Sequence, residues 1–343
     1  MIRATERDIE NLEKSYWKKQ GRSLLKDWRL YAMLVPVLFF LVCWKYLPIA
    51  SLVMSFKNYS NVDGSDVWNS VNVGLYWFQD LLVGNRSADF WKAFRNTFVL
   101  SFYGLFFGFP VPIILALLFS EIKCTWYRAT LQVLSYLPHF VSTVVVTTLV
   151  TMLLRPSVVD PNTGKMLTAA GPLAMLFEKM GVVSNNMVID PKCFRAIYQL
   201  TGIWSDAGYG SIVYFAAVLG ISPTNYEAAR IDGASKMQQV RYVTIPGMLS
   251  TLVIMLILRI GSLFSIGYEK VILLNPTGSR NVWETAQLIS TYVYYEGMAS
   301  SGGGAKMAQS EAAAADMFNS LLAMVLVIGS NKISRRVSDT SLY

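Results

Sequence analysis

The stretch NYEAARIDGASKMQQVRYVTIPG, residues 225–247, interrupts the apolar second half of the chain with closely spaced polar and charged residues. These residues do not suit burial in lipid, where their polar groups would have no water to bond. The segment from Glu227 to Arg230 nevertheless favours a short helix, with a carboxylate near the positive N-terminal end. Gly233 can end that helix, and Pro246 marks the start of the next apolar run. The sequence therefore predicts a compact polar loop outside the membrane, and we call residues 225–247 the polar loop.

Outside the polar loop, the chain is apolar enough to use lipid as its solvent. Of its 343 residues, 53% are hydrophobic and only 15% are charged, and the mean hydropathy is +0.39. An apolar helix of about 20 residues crosses a hydrocarbon core of roughly 30 Å. Six such runs occur, at 30–56, 96–119, 131–154, 195–220, 248–269 and 311–330. We therefore predict an all-α, polytopic membrane protein with six transmembrane helices.

The distribution of Lys and Arg predicts the orientation. Segments 1–29, 120–130, 221–247 and 331–343 hold 16 Lys and Arg in 80 residues, whereas the alternate segments hold 11 in 120. Basic connecting segments stay on the cytoplasmic side during insertion. We expect a cytoplasmic N-terminal segment at 1–29, a transmembrane domain at 30–330 and a cytoplasmic tail at 331–343. Because this bias accounts for the net charge of +8, nucleic-acid binding is not expected.

The residues of several catalytic and metal-binding motifs are missing from the chain. Its only Gly-Lys pair is followed by Met166, so there is no phosphate-binding loop. A single histidine, His139, excludes an HExxH pair and is interpreted as a packing or pathway residue. The three cysteines are widely separated and suggest neither a metal site nor a disulfide framework. No cleaved signal peptide is expected. We predict no catalytic residue and no metal site, so another subunit or an ion gradient must supply energy for any work on a solute.

The polar loop resembles the cytoplasmic signature of permease subunits of ABC importers. That signature is Glu-Ala-Ala, three residues, Gly, nine residues, and Ile-x-Leu-Pro. Here Glu227 begins the motif, Gly233 follows at the expected spacing, and Val243 to Pro246 close it with apolar substitutions for Ile and Leu. The resemblance extends over most of the chain. The phrase YLPHF at 136–140 and the ending NKISRRVSDTSLY at 331–343 are similar to the carbohydrate-uptake branch, especially its polysaccharide and oligosaccharide permeases.

The resemblance implies a coupling loop at 225–246 that seats in a cleft of an ATPase subunit. It implies that the contact is made by Glu227, Ala228, Ala229, Asp232, Gly233 and Ala234, with Pro246 closing the motif. The expected partners are a second permease, two ATPase subunits, an extracytoplasmic solute-binding protein, a carbohydrate substrate and the lipid bilayer. ATP and magnesium would be bound by the ATPases, and this chain would hold no cofactor. The implied location is the bacterial cytoplasmic membrane, with both termini in the cytoplasm.

The resemblance also implies where a solute would bind. In maltose-type relatives, solute contacts lie on the spans that flank the coupling loop, at positions counted from its glutamate. The corresponding polar residues here are Trp204, Ser205, Asp206, Tyr209, Arg259 and Ser262. Arg259 lies thirteen residues after Pro246, about 20 Å along a straight helix, which predicts a position near mid-bilayer. Charges at that depth are costly and face a bundle interior or a water-filled cavity.

Two interpretations of the charged pair stay open at the level of sequence. In the first, Arg259 bonds sugar hydroxyls or a uronate carboxylate, Tyr209 or Trp204 stacks on a sugar, and Asp206 accepts from hydroxyls. In the second, Asp206 and Arg259 form an ion pair that only fixes helix packing. Two other functions also remain: a gradient-driven secondary transporter, and a membrane enzyme acting on lipid-linked sugars. The enzyme would need a cluster of acid, base or metal-binding residues, which the sequence does not display.

Overall fold

The structure, a computed structural model, describes residues 26–59, 66–159, 166–181, 186–275, 280–297 and 309–337. It divides into two units, residues 1–54 and 55–343, which we describe separately. Helix α1, Trp28–Leu41, begins the described part of the first unit. It continues through a π-helical turn, Val42–Tyr46, into a 3-10 helix, Leu47–Phe56. Residues 1–25 of the predicted N-terminal segment and residues 338–343 of the predicted tail lie outside the described residues.

Among the described residues, three helices are long and apolar enough to cross a membrane, and three bent helix pairs qualify if each is one span. The three helices are Trp28–Phe56, Ser87–Glu121 and Gln309–Arg335. The bent pairs are Thr125–Phe140 with Thr143–Leu154, Pro191–Leu219 with Pro223–Ile231, and Lys236–Gly247 with Leu249–Gly261. Each overlaps one of the six apolar runs in the sequence. In the last two pairs only Pro191–Leu219 and Leu249–Gly261 do so, because the other helix of each pair belongs largely to the polar loop.

The helix Ser87–Glu121 changes its hydrogen-bond pattern in the middle. It consists of α3, Ser87–Tyr103, a π turn, Gly104–Gly108, and α4, Pro110–Glu121. Proline has no amide hydrogen to donate, and a π turn lets the preceding residues redistribute their bonds. Glycine and proline in a helix indicate a kink, so the run FGFPVP at 107–112 predicts one, and the structure shows a π turn at this place.

The third apolar run is bent instead of straight. Helix α5, Thr125–Tyr136, leads into a short 3-10 helix, Leu137–Phe140, and α6, Thr143–Leu154, then leaves at an angle of 100°. Pro138 lies at the break, and the side chain of Ser142 caps α6 by accepting a hydrogen bond from Val145. The YLPHF phrase is therefore a corner between two helices.

The fourth and fifth runs flank the polar loop. Helix α8, Pro191–Leu219, is capped by Asp190 and bends by 69° into α9, Pro223–Ile231. After α10, Lys236–Gln239, a π turn, Val240–Thr244, and α11, Ile245–Gly247, the chain bends by 67° into α12, Leu249–Gly261. Helix α12 ends eight residues before the predicted end of its span. Residues 262–267 follow without a regular helix before α13, Tyr268–Leu273.

The remaining elements lie between and beyond these spans. They are α2, Tyr76–Leu82; strands β1, Val158–Val159, and β2, Met166–Thr168; and helices α7, Pro172–Lys179, α14, Arg280–Ala286, α15, Ile289–Gly297, and α16, Gln309–Val337. The two short strands pair antiparallel and are a small correction to the all-α prediction. We call the end of the helices that carries the polar loop the loop end, and the opposite end the distal end.

Helix α8 packs closely against its neighbours along the loop-end half. Residues Tyr214 and Val218 pack with Ala116 of α4 and with Met248 at the start of α12. A Cβ atom at Gly208 would overlap the carbonyl of Ser135 on α5, so glycine permits this close approach. These contacts bring α4, α5, α8 and α12 together around the polar residues discussed below.

At the distal end, the first turn of α16 is held by buried polar contacts. Glu311 is completely buried, and its carboxylate forms an ion pair with Arg86 at 2.8 Å. Tyr292 donates a hydrogen bond of 2.8 Å to the same carboxylate. The backbone amide of Tyr59 donates to the hydroxyl of Ser310 at 2.9 Å. The beginning of the last helix is thus joined to three separate parts of the second unit.

Candidate functional site

The polar loop folds into two short helices joined by a tight turn. Gly233 has a φ angle of +77°, a conformation that costs an L-residue about 1–2 kcal/mol. The amide of Ala234 donates to the carbonyl of Ala229, and that of Gly233 to Arg230, which closes the end of α9. Ser235 and Gln238 then form a reciprocal capping box at the start of α10. The first helix and the glycine stop agree with the expectation from sequence, and a second short helix follows them.

The predicted contact residues of the loop lie on its surface. Glu227, Ala228, Asp232, Gly233 and Pro246 are exposed, whereas Ala229 and Ala234 are half-buried. A Cβ atom at Gly233 would meet no atom within 4 Å. Within this chain, a larger side chain at that position would therefore have room.

The loop also exposes large apolar side chains that the motif does not include. Ile231 is 86% exposed, Met237 76% and Tyr242 67%. These three side chains are free to contact another protein from the surface of the loop. They were not predicted, although apolar residues between charged ones in a loop were the available signal.

Side-chain contacts hold the polar loop together and join it to α4. Lys236 of α10 forms an ion pair of 2.6 Å with Glu121, the last residue of α4. The hydroxyls of Tyr226 and Thr244 lie 3.1 Å apart and tie α9 to the π turn. The amide of Gln239 donates to the carbonyl of Ala234 at 2.9 Å. The ion pair therefore joins the loop to α4, and the other two contacts join parts of the loop to each other.

A cavity of about 580 Å³ lies between α3, α4, α8 and the end of α12. Three of the predicted pathway residues line it: Asp206, Arg259 and Ser262. The unwound residues that follow α12 line it as well. The bend of 67° at the start of α12 changes the predicted depth of Arg259, because only ten residues, about 15 Å, separate Leu249 from Arg259. Arg259 lies in the last turn of α12.

Glycines make room for the cations of this cavity. A Cβ atom at Gly104 would lie 3.5 Å from an Arg259 guanidinium nitrogen, and one at Gly108 would lie 3.9 Å from it. A Cβ atom at Gly202 would lie 3.0 Å from Nζ of Lys270. The π turn between α3 and α4 therefore offers an open backbone surface beside the guanidinium.

Lys270 is the second cation of the cavity and was not predicted. Its ammonium lies over the ring of Tyr198, 4.3 Å from the ring centre. Burial lowers the pKa of Lys270 to about 8, and the carboxylate of Asp206 opposes this shift. Lys270 lies on α13, one residue beyond the predicted end of the fifth span. It was missed because the counting from Glu227 stopped inside that span.

Asp206 contacts a histidine instead of Arg259. Its carboxylate oxygen lies 3.1 Å from Nδ1 of His139, and among the described residues no ion pair joins it to Arg259. The ring of His139 stacks on Tyr209 with centres 4.0 Å apart and planes 6° apart, and Phe140 meets the same ring edge-on. The YLPHF corner is thus packed onto the middle of α8.

The remaining predicted pathway residues do not line the cavity. Trp204 and Tyr209 are exposed, 48% and 43%, and Ser205 is half-buried. Asp206 lines the cavity and also contacts the His139 corner. The predicted set therefore falls into two groups. One lines the cavity and consists of Asp206, Arg259 and Ser262; the other lies outside it on α8 and consists of Trp204, Ser205 and Tyr209.

Residues 108–330 match the protein family described as binding-protein-dependent transport system inner membrane component. Two proteins of Bacillus subtilis (strain 168) are similar over nearly their whole length. Protein LplB is 32% identical over 94% of this chain and 93% of its own. The polygalacturonan/rhamnogalacturonan transport system permease protein YteP is 32% identical over 95% of both chains.

Solved structures of a bacterial ABC transporter are similar as well. One, of a transporter involved in the import of the acidic polysaccharide alginate, contains a chain that is 34% identical with a TM-score of 0.78. The match covers 93% of this chain and 99% of that chain. A second, in complex with an alginate pentasaccharide-bound periplasmic protein, matches with the same score and identity over 94% of this chain.

Proposed function

This chain belongs to the family of binding-protein-dependent transport system inner membrane components, and we propose that its cavity carries a carboxylate-bearing oligosaccharide or polysaccharide into the cell. It is a permease subunit of an ABC importer, with relatives that carry sugar polymers. The gradient-driven alternative is not favoured, because the relatives belong to ABC importers.

The proposed topology has six spans with both termini in the cytoplasm. The three long helices, the bent pair Thr125–Phe140 with Thr143–Leu154, and the helices Pro191–Leu219 and Leu249–Gly261 of the other two pairs are the six proposed spans. The bias of Lys and Arg toward segments 1–29, 120–130, 221–247 and 331–343 supports this orientation. The polar loop then lies in the cytoplasm and the distal end faces outward.

The proposed assembly contains a second permease, two ATPase subunits and a solute-binding protein on the outer face. The ATPases bind ATP and magnesium, and the polar loop seats on one of them. The exposed small residues of α9 together with Ile231 and Met237 support this docking, because they combine close backbone approach with apolar area. The ion pair between Lys236 and Glu121 would pass the ATPase movement to α4.

The observation that carries the proposed substrate class is the presence of two cations, Arg259 and Lys270, in one cavity with a single carboxylate, Asp206. A guanidinium binds a carboxylate with two parallel hydrogen bonds, and an ammonium adds a point charge. Placing cations where burial is costly indicates a function for them. The sugar polymers named for YteP and the alginate transporter are consistent with an anionic cargo.

The geometry favours the pathway interpretation of Arg259 over the packing interpretation. Asp206 is placed against His139, while Arg259 faces the glycines of the π turn inside the cavity. A guanidinium that served only to neutralise Asp206 would be expected within ion-pair distance of it. We therefore assign Arg259 to solute recognition and Asp206 to the cavity wall and the His139 corner.

The test compares one oligouronate with its carboxyl-reduced form, which differs only in charge. In cells or proteoliposomes with the complete importer, R259Q/K270Q should lower the uptake of the oligouronate at least about tenfold relative to the reduced form, because two charge-assisted hydrogen bonds are lost. The measurement is the ratio of the two uptake rates at equal amounts of assembled complex.

The control variant is K179Q, which removes a cation from the exposed end of α7 far from the cavity. It should leave the ratio unchanged. An unchanged ratio in R259Q/K270Q, with the complex intact, would remove both cations from substrate selection and disprove the proposed substrate class.

A further inference from the structure

A second cavity, of about 680 Å³, lies at the distal end between α3 and α14. Its wall on α3 consists of Ala88, Trp91, Lys92 and Arg95, and its wall on α14 of Asn281 and Glu284. It contains two cations against one carboxylate, and none of its residues lines the cavity at Arg259. The site therefore favours an anion but is separate from the proposed solute pathway.

Hydrogen bonds between the walls hold this cavity open. The amide of Asn96 donates to the carbonyls of Glu284 at 2.8 Å and of Gln287 at 3.2 Å, while Arg195 donates to its oxygen at 3.0 Å. The indole of Trp91 donates to the carbonyl of Leu82 at 3.0 Å. Both walls and the Trp91 ring are thus fixed before any ligand binds.

An aromatic stripe continues from the cavity along the same face of the helix. Phe98, Phe102 and Phe106 follow Arg95 at helical spacings of three and four residues, which places them below it on one face. They are 51%, 50% and 64% exposed. Their rings stack in succession, with centres 6.5 Å and 6.0 Å apart. The cavity with its two cations therefore lies at one end of an exposed aromatic stripe.

The length of the helix places the charged cavity at the depth of the lipid headgroups and the aromatic stripe at the depth of the acyl chains. Arg95 is 24 residues from Phe119, or about 36 Å along the helix axis. With Phe119 at the inner boundary of a hydrocarbon core of about 30 Å, Arg95 lies about 6 Å beyond the outer boundary, within the headgroup layer. Phe98 and Phe102 then lie at or just inside that boundary, where acyl chains begin.

We infer that Lys92 and Arg95 bind the phosphate of an anionic phospholipid of the outer leaflet, with one acyl chain lying along Phe98, Phe102 and Phe106. The inference uses the orientation proposed above, but not the proposed substrate. Trp91 lies at the headgroup level that an indole ring favours. Glu284 and Asn281 face the polar part of the headgroup, so a hydroxylated headgroup such as glycerol fits better than a bare phosphate.

The test counts lipids bound to the purified full-length chain by native mass spectrometry during titration with phosphatidylglycerol or phosphatidylethanolamine. The native chain should retain phosphatidylglycerol in preference. K92Q/R95Q should weaken that binding about twenty-five-fold, since each cation near an anionic lipid surface contributes a factor of about five. F102A should weaken it without affecting the preference between headgroups, and E284Q should strengthen it.

The control is K179Q/K192Q, which removes two exposed distal cations outside the cavity and should bind as the native chain does. Equal retention of both phospholipids, or unchanged binding in K92Q/R95Q, would overturn the inference. So would competition by soluble glycerol phosphate at the same concentration as lipid, which would indicate a site for a soluble anion. Loss of phosphatidylglycerol from the native chain on assembly with the second permease would identify this face as a protein interface.

Discussion

At the scale of the residue, the cavity shows what a sequence count can and cannot locate. Arg259 was found because a charge within an apolar run is conspicuous. Lys270 was not, because it lies just past a span end, where a lysine ordinarily extends to the headgroups. Only the fold, through the break after α12, brings Lys270 beside Tyr198 and Gly202. Two cations in one cavity are a property of tertiary structure.

The lowered pKa of Lys270 predicts how uptake depends on pH. With a pKa of about 8, caused by burial and opposed by Asp206, the ammonium is charged below pH 8 and neutral above it. Uptake of an anionic oligosaccharide should therefore fall as the pH rises through 8. The measurement is initial uptake about one pH unit below and above that value.

A matched variant separates Lys270 from other titrating groups. K270R keeps the charge at all pH values used, because a guanidinium does not lose its proton there. It should flatten the decrease, whereas K179Q should retain it. A decrease that persists unchanged in K270R would assign the pH dependence to another group.

At the scale of the element, each of the six apolar runs overlaps a long helix or a bent helix pair of the described residues, but the bend in the third run was not predicted. Run length and hydropathy predict a crossing, whereas the bend of 100° at YLPHF depends on Pro138 together with the cap at Ser142. Proline likewise predicted a kink at FGFPVP, where the structure has a π turn. A proline indicates that a helix bends or changes its hydrogen-bond pattern, and packing against neighbouring helices determines which of the two occurs. The positive φ of Gly233, by contrast, was expected from its role as a helix stop.

The conformation and the size of Gly233 can be tested separately. G233N should keep the turn, because asparagine tolerates the left-handed region, while G233V should strain it by about 1–2 kcal/mol. Within the chain there is open space for either side chain. If an ATPase subunit packs against Gly233, both variants should lose ATPase copurification and uptake.

The control for this prediction is a substitution in the same loop at Gln238, whose side chain bonds to the backbone of the loop itself. Q238E retains an acceptor for the amide of Ser235 and should keep both ATPase association and uptake. Normal uptake and copurification in G233V would show that no partner approaches this glycine. Loss in G233V alone would show that the turn matters and the contact does not.

At the scale of the whole molecule, the family resemblance read from one loop and two short phrases is confirmed across the chain. The polar loop was informative because its spacing combines a helix start, a glycine stop and a proline. The distal end was not predicted, since its contacts join residues such as Tyr59 and Ser310 that are 251 positions apart. Contacts between residues so far apart produce no periodic pattern in a sequence.

The distal ion pair predicts a large effect on stability. Arg86 is partly exposed, but Glu311 is fully buried, so loss of the cation should leave a costly buried charge. R86Q should lower the free energy of unfolding by roughly 2 kcal/mol or more. The measurement is thermal unfolding of the purified chain in mild detergent.

A double-mutant cycle identifies the source of that loss. R86Q/E311Q should be more stable than R86Q, because the buried charge is removed while the amide can still accept from Tyr292. K179Q, which removes an exposed cation outside both cavities, serves as the control and should unfold as the native chain does. Additive losses in the cycle would contradict a direct Arg86 and Glu311 interaction.

The contacts of Ser310 and Glu311 with residues near the beginning of the second unit also bear on biosynthesis. Because the ribosome synthesises α3 long before α16, the carboxylate that pairs with Arg86 is absent until residue 311 has been translated. Nascent chains that stop before it would present Arg86 without its carboxylate, and membrane proteases could sort them from complete transporters by that defect.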